Sequence, residues 1–370
     1  YKSQEKTILP PAKSSLCLMS HKINHFLKQT IKQKKKTYPL SHYFSTFALH
    51  FLTYNKNIKR TTKPYKGLTN RKFNMLSILI PVYNYDCSEL IKALHLQGER
   101  LKQSKGGDYE IIVGDDASSK GHGVENVRKA CNFPECRFLS PEKNRGRAAN
   151  RNAMAREAKG NYLLFIDCDA LVTRGDFLEK YYEETLKGAE VVIGGIEAVG
   201  TQPSPDVSLR FKYEQSAAEI RSLEYRKANP YSHFSTFNVM VKTEVFMHIR
   251  FDESCVGYGY EDTIFGLRLK QEGYNITHID APLVHNGLDT NREFVEKTEQ
   301  SMRNLHRFGR DIQNFSHVGA VALRLKRLNL DGMIVTWHRL FGRIERANLL
   351  SNNPSLFVLK LYKLGFFCSL

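Results

Sequence analysis

Nowhere in its 370 residues does the chain hold a run of about 20 apolar residues, so no membrane-spanning helix is expected. The nearest approach, Tyr43–Tyr54, is short and carries His50. Cysteine is sparse: the seven, at 17, 87, 131, 136, 168, 255 and 368, are odd in number and form no C-x-x-C pair. That pattern excludes a zinc ribbon and a disulfide framework and suits free thiols in a reducing compartment. No secretory signal is read, because Pro10 and Pro11 break the first apolar run. The expected location is cytoplasmic, with the inner face of the cytoplasmic membrane as the variant. Acidic residues are almost missing from the first 72 positions, which hold 16 Lys/Arg against Glu5, so the net charge of +17 leaves only +2 for the other 298 residues. This basic charge is not organised on a folded face with aromatic platforms, and no nucleic-acid partner is expected.

What is present divides into three regions. Residues 1–74 are Lys-, Ser-, Thr- and Asn-rich without sustained periodicity. They read as a basic extension, disordered or outside the natural protein, in preference to a tail for an anionic membrane. Residues 75–290 alternate short apolar runs with helical patterns, and residues 291–370 read as helical. Leu76–Ile80, Tyr109–Val113, Arg137–Leu139, Tyr162–Ile166, Val191–Ile193 and Phe237–Val241 are predicted strands. Helices are predicted from the Asp86/Glu89 capping pair to about Lys102, over Val124–Ala130, over Arg147–Lys159 with Gly160 ending it, and over Thr263–Gln271. Strands alternating with helices imply an α/β fold with a mostly parallel sheet, whose ligands bind beyond the strand ends.

Three polar turns follow these strands: Pro81-Val82-Tyr83-Asn84, Gly114-Asp115-Asp116-Ala117-Ser118, and Asp167-Cys168-Asp169. Crowded carboxylates repel unless a positive charge sits among them, so a D-x-D directly after a buried strand suggests a bound cation. Oxygen ligation suits Mg²⁺ or Mn²⁺ shared with substrate phosphates. The competing reading is a turn with helix-capping aspartates. For Asp115-Asp116 a turn and a hydrogen-bond acceptor for ribose or base are equally open. Arg147 and Arg151 share one face at the start of a helix, either a phosphate site or a solvated arginine face. Gly257-Tyr258-Gly259-Tyr260-Glu261-Asp262 is a glycine-aromatic loop ending in two acids, read as helix-capping residues or as a general base beside an aromatic platform. His285, after Ile279–Val284, is by itself more often structural than a ligand.

Together these stretches resemble the family 2 glycosyltransferases, which have the GT-A fold. The resemblance rests on Leu76–Asn84, Ile111–Ser118, Asn144–Asn152, Leu163–Asp169 and Gly257–Asp262, five motifs in the family's order over residues 75–290. It implies an inverting transferase using a nucleotide sugar, with UDP expected, and a glycan or lipid-linked acceptor. It implies that Pro81, Tyr83, Asn84 and Asp116 line the nucleotide pocket, with Arg151 near base or diphosphate. Asp167 and Asp169 would be the DXD motif on Mn²⁺ or Mg²⁺, Asp169 the more direct ligand and Asp167 also near the nucleotide sugar. His285 would reach the metal or diphosphate. Asp262 would be the catalytic base with Glu261 assisting. Two departures stand out: Ala170 replaces a frequent third Asp, and Gly114 a usual apolar residue.

Other readings remain. A haloacid dehalogenase-type phosphotransferase also uses D-x-D, but there the motif belongs to the first strand with Thr or Val two residues later, and here Val172 is three residues after Asp169. An inactive nucleotide-sugar-binding or scaffolding domain is the non-enzymatic alternative. In the C-terminal region Ile334, Trp337, Phe341 and Ile344 recur at helical spacing beside Arg339, Arg343 and Arg346. That apolar face is expected to pack on the catalytic domain, with peripheral membrane contact as the alternative.

Overall fold

The computed structural model describes residues 75–119, 121, 123–202, 204–255 and 257–370; the expected basic extension, residues 1–74, lies outside the described residues. Chain order begins β1 (Met75–Val82), α1 (Ser88–Lys105), β2 (Asp108–Asp115), α2 (Val124–Ala130), β3 (Cys136–Leu139), α3 (Arg147–Glu157) and β4 (Tyr162–Ile166). Next come β5 (Ala170–Leu171), α4 (Phe177–Leu186), β6 (Val191–Ile193), β7 (Ile196–Ala198), α5 (Ser208–Gln215), α6 (Ala218–Arg221), α7 (Leu223–Ala228) and β8 (Asn238–Lys242). Then α8 (Thr243–Ile249), α9 (Glu261–Glu272), β9 (Ile276–His278) and β10 (Leu283–His285) complete the sheets. The C-terminal region is helical: α10 (Asn291–Arg307), α11 (Arg310–Phe315), α12 (His317–Arg327), α13 (Asp331–Leu349) and α14 (Leu356–Cys368).

Among the described residues, the main sheet has seven strands in the order β3-β2-β1-β4-β8-β6-β9. It is the mostly parallel α/β sheet that the alternation of strands and helices predicts. Only β8 runs against its neighbours β4 and β6. Side chains alternate between two apolar layers, as strands covered on both faces require. Ile78, Ile80, Leu164 and Ile166 face Leu90, Ile91 and Leu94 of α1 and Tyr181 of α4. Leu79, Leu163 and Phe165 face Met154 of α3, Phe246 of α8 and Phe265 of α9. Nearly every one of these side chains is fully buried.

A second sheet, β5-β10-β7, was not anticipated, because strands of two or three residues are too short for periodicity to reveal. It matters to function. Antiparallel pairing of β5 with β10 sets His285 opposite Ala170, so the residue just before β5, Asp169, meets the end of β10. Buried Asn238 on β8 ties the sheets: its Oδ1 accepts from Gly195 N at 3.1 Å and its Nδ2 donates to Ala281 O at 3.2 Å.

Three local expectations change. Helix α1 starts at Ser88 with Cys87 as its cap residue, although Asp86 Oδ1 does accept from Ser88 N at 3.0 Å. Gly160 does not end α3, which stops at Glu157 with Ala158 extended. Gly160 is instead required for close approach: a Cβ there would lie 2.7 Å from both Met75 O and Ser77 Oγ. Gly160→Ala is therefore expected to cost about 1–3 kcal/mol by overpacking, read as a lower urea midpoint at unchanged slope. Finally, Trp337, Phe341 and Ile344 on α13 do not pack inward; they are exposed. The buried positions of α13 are Glu345 and Leu349.

Candidate active site

The three turns meet at one edge of the main sheet, held together by their own polar atoms. Asn84 N donates to Ser118 Oγ at 2.7 Å, and Asn84 Oδ1 accepts from Ser119 N at 2.8 Å, which locks the first turn to the second. Asn84, Ala117 and Tyr260 all adopt left-handed backbone conformations with φ of 52°, 59° and 74°. Such conformations are costly for residues with a side chain and concentrate where surrounding structure enforces a functional shape. All three sit on the turns that border the cleft. Pro81 lies within β1, one residue before its end, and Tyr83 is exposed at the rim.

Asp116 is buried, and its carboxylate receives two backbone donors from the next loop, Arg145 N at 2.7 Å and Gly146 N at 2.9 Å. Asn144 Nδ2 donates to Asp116 O at 2.9 Å. Asp116 thus fixes the entry of α3 and with it the direction of Arg147 and Arg151. Arg151 is almost wholly buried, and its Nη2 donates to Asp167 Oδ1 at 2.5 Å. Its Nε and Nη1 are buried without a hydrogen-bond partner. Arg147 lies 3.7 Å from Asp167 Oδ2 through Nη2 and 2.9 Å from Glu261 Oε1 through Nε, and it stands over the Tyr258 ring at 5.3 Å. One guanidinium therefore joins the DXD turn to the Glu261-Asp262 loop.

Asp169 and His285 are brought together: His285 Nε2 is 3.1 Å from Asp169 Oδ2. On the other side, His285 Nδ1 lies 2.8 Å from Glu214 Oε1, and Glu214 in turn accepts from Arg210 Nε at 2.6 Å. Burial opposes an imidazolium, yet contact with Asp169 and Glu214 raises His285 to about 9. Burial likewise disfavours charge on Asp169, but the His285 contact and the positive charges of His285 and Arg147 hold its carboxyl below the usual range. Glu214 is pulled down to about 2 against its burial by His285 and Arg210. Cys168, between the two aspartates, is pushed up to about 12 by burial and by Asp169 and Asp167, so its thiol stays protonated.

Among the described residues, one donor set fits a divalent cation. Asp169 Oδ1 is buried and has no hydrogen-bond partner. An orphaned anionic oxygen is chemistry that suits Mn²⁺ or Mg²⁺, and His285 Nε2 would join it as a ligand on giving up its proton. Asp167 is engaged differently, since both its oxygens face guanidinium groups. Elsewhere His95, Glu99 and Glu135 also approach one another. There the Lys102 ammonium already lies 3.2 Å from Glu99 and 2.5 Å from Glu135, which satisfies the carboxylates.

Asp262 occupies the first turn of α9, where the helix dipole favours an anion. Thr236 donates to it twice, from Oγ1 to Oδ1 at 2.8 Å and from N to Oδ2 at 3.2 Å. Even so, burial and the neighbouring charge of Glu261 raise it to about 6, with Arg151 and Arg147 opposing. That value suits a general base near neutral pH. Beside this turn opens a groove of about 780 Å³, bordered by Tyr213, Tyr231, His233, Tyr260, Lys270 and Lys363.

Residue types alone single out Arg147 only as a partner of Arg151 on a helix face, and Glu214, Arg210 and Thr236 not at all. An i, i+4 arginine pair gives no hint that one member reaches 114 residues ahead to Glu261. Glu214 sits on α5, where nothing local marks it as the partner of His285.

Known proteins share parts of this chain. The glycosyl transferase family 2 profile matches residues 77–250. An uncharacterized glycosyltransferase of Haemophilus influenzae is 38% identical over 95 residues, which is 26% of this chain and 29% of that protein. The minor teichoic acid biosynthesis protein GgaB of Bacillus subtilis is 26% identical over 199 residues, 51% of this chain and 20% of its own length. This chain thus spans less than a third of either relative. Among solved structures, a mannosyltransferase of Pyrobaculum calidifontis in complex with GDP-Man and Mn²⁺ aligns with a TM-score of 0.46 at 16% identity, over 87% of this chain and 96% of that one.

Proposed function

We propose, from the match of residues 77–250 to the glycosyl transferase family 2 profile, that this chain moves a sugar from a nucleotide sugar, UDP-linked, to a hydroxyl of a glycan or lipid-linked acceptor with inversion. The observation that carries this reading is the Arg147 bridge. It holds Asp167, after β4, and Glu261, beside the base at the start of α9, on one guanidinium at 3.7 and 2.9 Å. Donor-side and acceptor-side carboxylates are thereby kept in register across the cleft.

Asp169 and His285 would hold a divalent cation, supported by the orphaned Asp169 Oδ1. When bound, such an ion offsets the charge that grows on a departing diphosphate. Arg151 keeps buried donors unsatisfied, which supports its role beside base or phosphate. Tyr83 at the rim and Pro81 offer apolar surface to a base, next to Asn84 and Asp116. On the acceptor side, Asp262 takes the hydroxyl proton as that oxygen attacks the anomeric carbon, while Thr236 fixes the carboxylate and Glu261 keeps Arg147 in place. One displacement inverts the centre, and no second nucleophile is needed. The aromatic groove beside α9 suits the acceptor glycan.

The test is release of nucleoside diphosphate from a panel of nucleotide sugars with Mn²⁺, for the wild type and Arg147→Gln. The wild type should turn over at least one donor, and Arg147→Gln should lose about 10²-fold, the cost of a roughly 1 Å misplacement at a reacting centre. A wild type that binds nucleotide yet releases none from any donor would instead fit a scaffolding domain.

A further inference from the structure

Helix α13 wears its apolar side outward. Met333, Trp337, Leu340, Phe341 and Ile344 share one face at helical spacing. Their exposures are 68%, 47%, 68%, 38% and 66%. The opposite side, which packs on α14 and α10, carries the polar groups. His338 Nδ1 is 3.2 Å from Glu345 Oε2, Arg346 Nε is 3.4 Å from Glu299 Oε1, and Trp337, at the margin of the apolar row, reaches back so that its Nε1 donates to Glu345 Oε1 at 2.8 Å. The His338 ring is set against Tyr362 at 5.2 Å. Leu328 and Leu330 just before the helix, and Phe357 at the start of α14, are exposed as well. A helix that buries its glutamate and presents its aliphatic and aromatic row to water is built for a partner.

The surrounding charge selects that partner. Residues 321–370 hold eight Lys/Arg and two acids, Asp331 and Glu345. Glu345 is buried and paired, so within that stretch Asp331 is the one acid left at the surface. Arg339 and Arg343 are exposed along the edge of the apolar row. A two-fold contact with a second copy would bring this positive edge near itself, which like-charge repulsion disfavours. An anionic lipid surface meets both features: the apolar row enters the headgroup–acyl boundary, and the arginines meet phosphates. Trp337 suits the same boundary. Among the described residues no helix is long and apolar enough to cross a membrane, so the fit is to lying on the surface.

We infer that α13 is an interfacial helix that docks this protein on an anionic lipid surface through Met333, Trp337, Leu340, Phe341 and Ile344. The inference does not depend on the transfer chemistry. It is tested by co-sedimenting the full chain with phosphatidylcholine vesicles, with and without phosphatidylglycerol. The wild type should pellet with anionic vesicles, less with neutral ones, and less as salt rises. The pair Leu340→Asp and Ile344→Asp should weaken partitioning by about tenfold or more, since each substitution removes a buried aliphatic side chain from the docked state. Arg339→Gln or Arg343→Gln should each weaken it about fivefold on anionic vesicles. All four side chains are exposed, so melting should be unchanged, which separates docking from folding. The assignment is overturned if the wild type stays in the supernatant. It is equally overturned if the aspartate pair pellets like the wild type, which would place the contact elsewhere, such as in the basic residues 1–72. Sedimentation velocity showing a dimer that the aspartate pair dissolves without vesicles would also overturn it.

Discussion

Asp262→Asn is expected to lower kcat by about 10²–10⁴-fold, with donor KM little changed, because a positioned base acts in the transition state and not in donor binding. The amide still accepts from Thr236 Oγ1 but gives up the bond from Thr236 N, a loss that relief of the buried charge offsets. Retention of more than about a tenth of wild-type turnover would remove Asp262 from this role. The pH profile offers a separate reading. Burial and Glu261 raise Asp262 to about 6, above its ordinary 3.8. A protonated carboxyl accepts no proton, so the wild-type rate should fall about tenfold per unit as pH drops below about 6. The stability sign is the opposite. The native state binds this proton more tightly than the unfolded chain, so ionisation costs stability as pH rises from about 4 to 6. At neutral pH Asp262→Asn should therefore melt at or above the wild-type temperature while being nearly inactive, a combination a merely structural aspartate does not produce.

Asp169→Asn should abolish the stabilisation that donor and metal give together. For the wild type with Mn²⁺, a nucleotide sugar at 100 times its Kd should add about 2.7 kcal/mol, and chelation with EDTA should remove it. In the variant the shift should vanish with metal present, since the carboxylate whose Oδ1 has no protein partner is lost. Melting without ligand, recorded alongside, reports the cost of leaving His285 with Glu214 as its remaining carboxylate. If the variant keeps the full Mn²⁺-dependent shift, the cation lies elsewhere, and Asp167 would be the next residue to examine.

Much of the sheet was legible because buried parallel strands announce themselves. Leu76–Ile80, Ile111–Val113 and Leu163–Ile166 are nearly unbroken apolar runs, and each is covered on both faces. The residues after them had to lie at one edge, since parallel strands end together. The same logic missed the β5-β10-β7 sheet, whose strands hold three residues at most. It also misplaced Gly160, because a glycine near a helix end fits a cap as well as it fits a crowded backbone, and only the position of Met75 and Ser77 decides. On α13 the periodicity placed Trp337, Phe341 and Ile344 on one face, whereas Ile334 is half-buried, and it did not give that face's direction. Apolar residues at helical spacing make one side of a helix differ from the other, and nothing in that spacing says which side meets the core.

The alternation of strands and helices, the acidic turns at the strand ends and the apolar face of α13 were all written in local sequence, because each is set by neighbours within a few residues. Packing of the whole chain settled that His285 meets Asp169 and Glu214, that Arg147 spans from Asp167 to Glu261, and that α13 turns Trp337 toward solvent. Those contacts join residues tens to more than a hundred positions apart. Their partners are chosen by how the layers pack, a sum over many weak local preferences that no single segment contains.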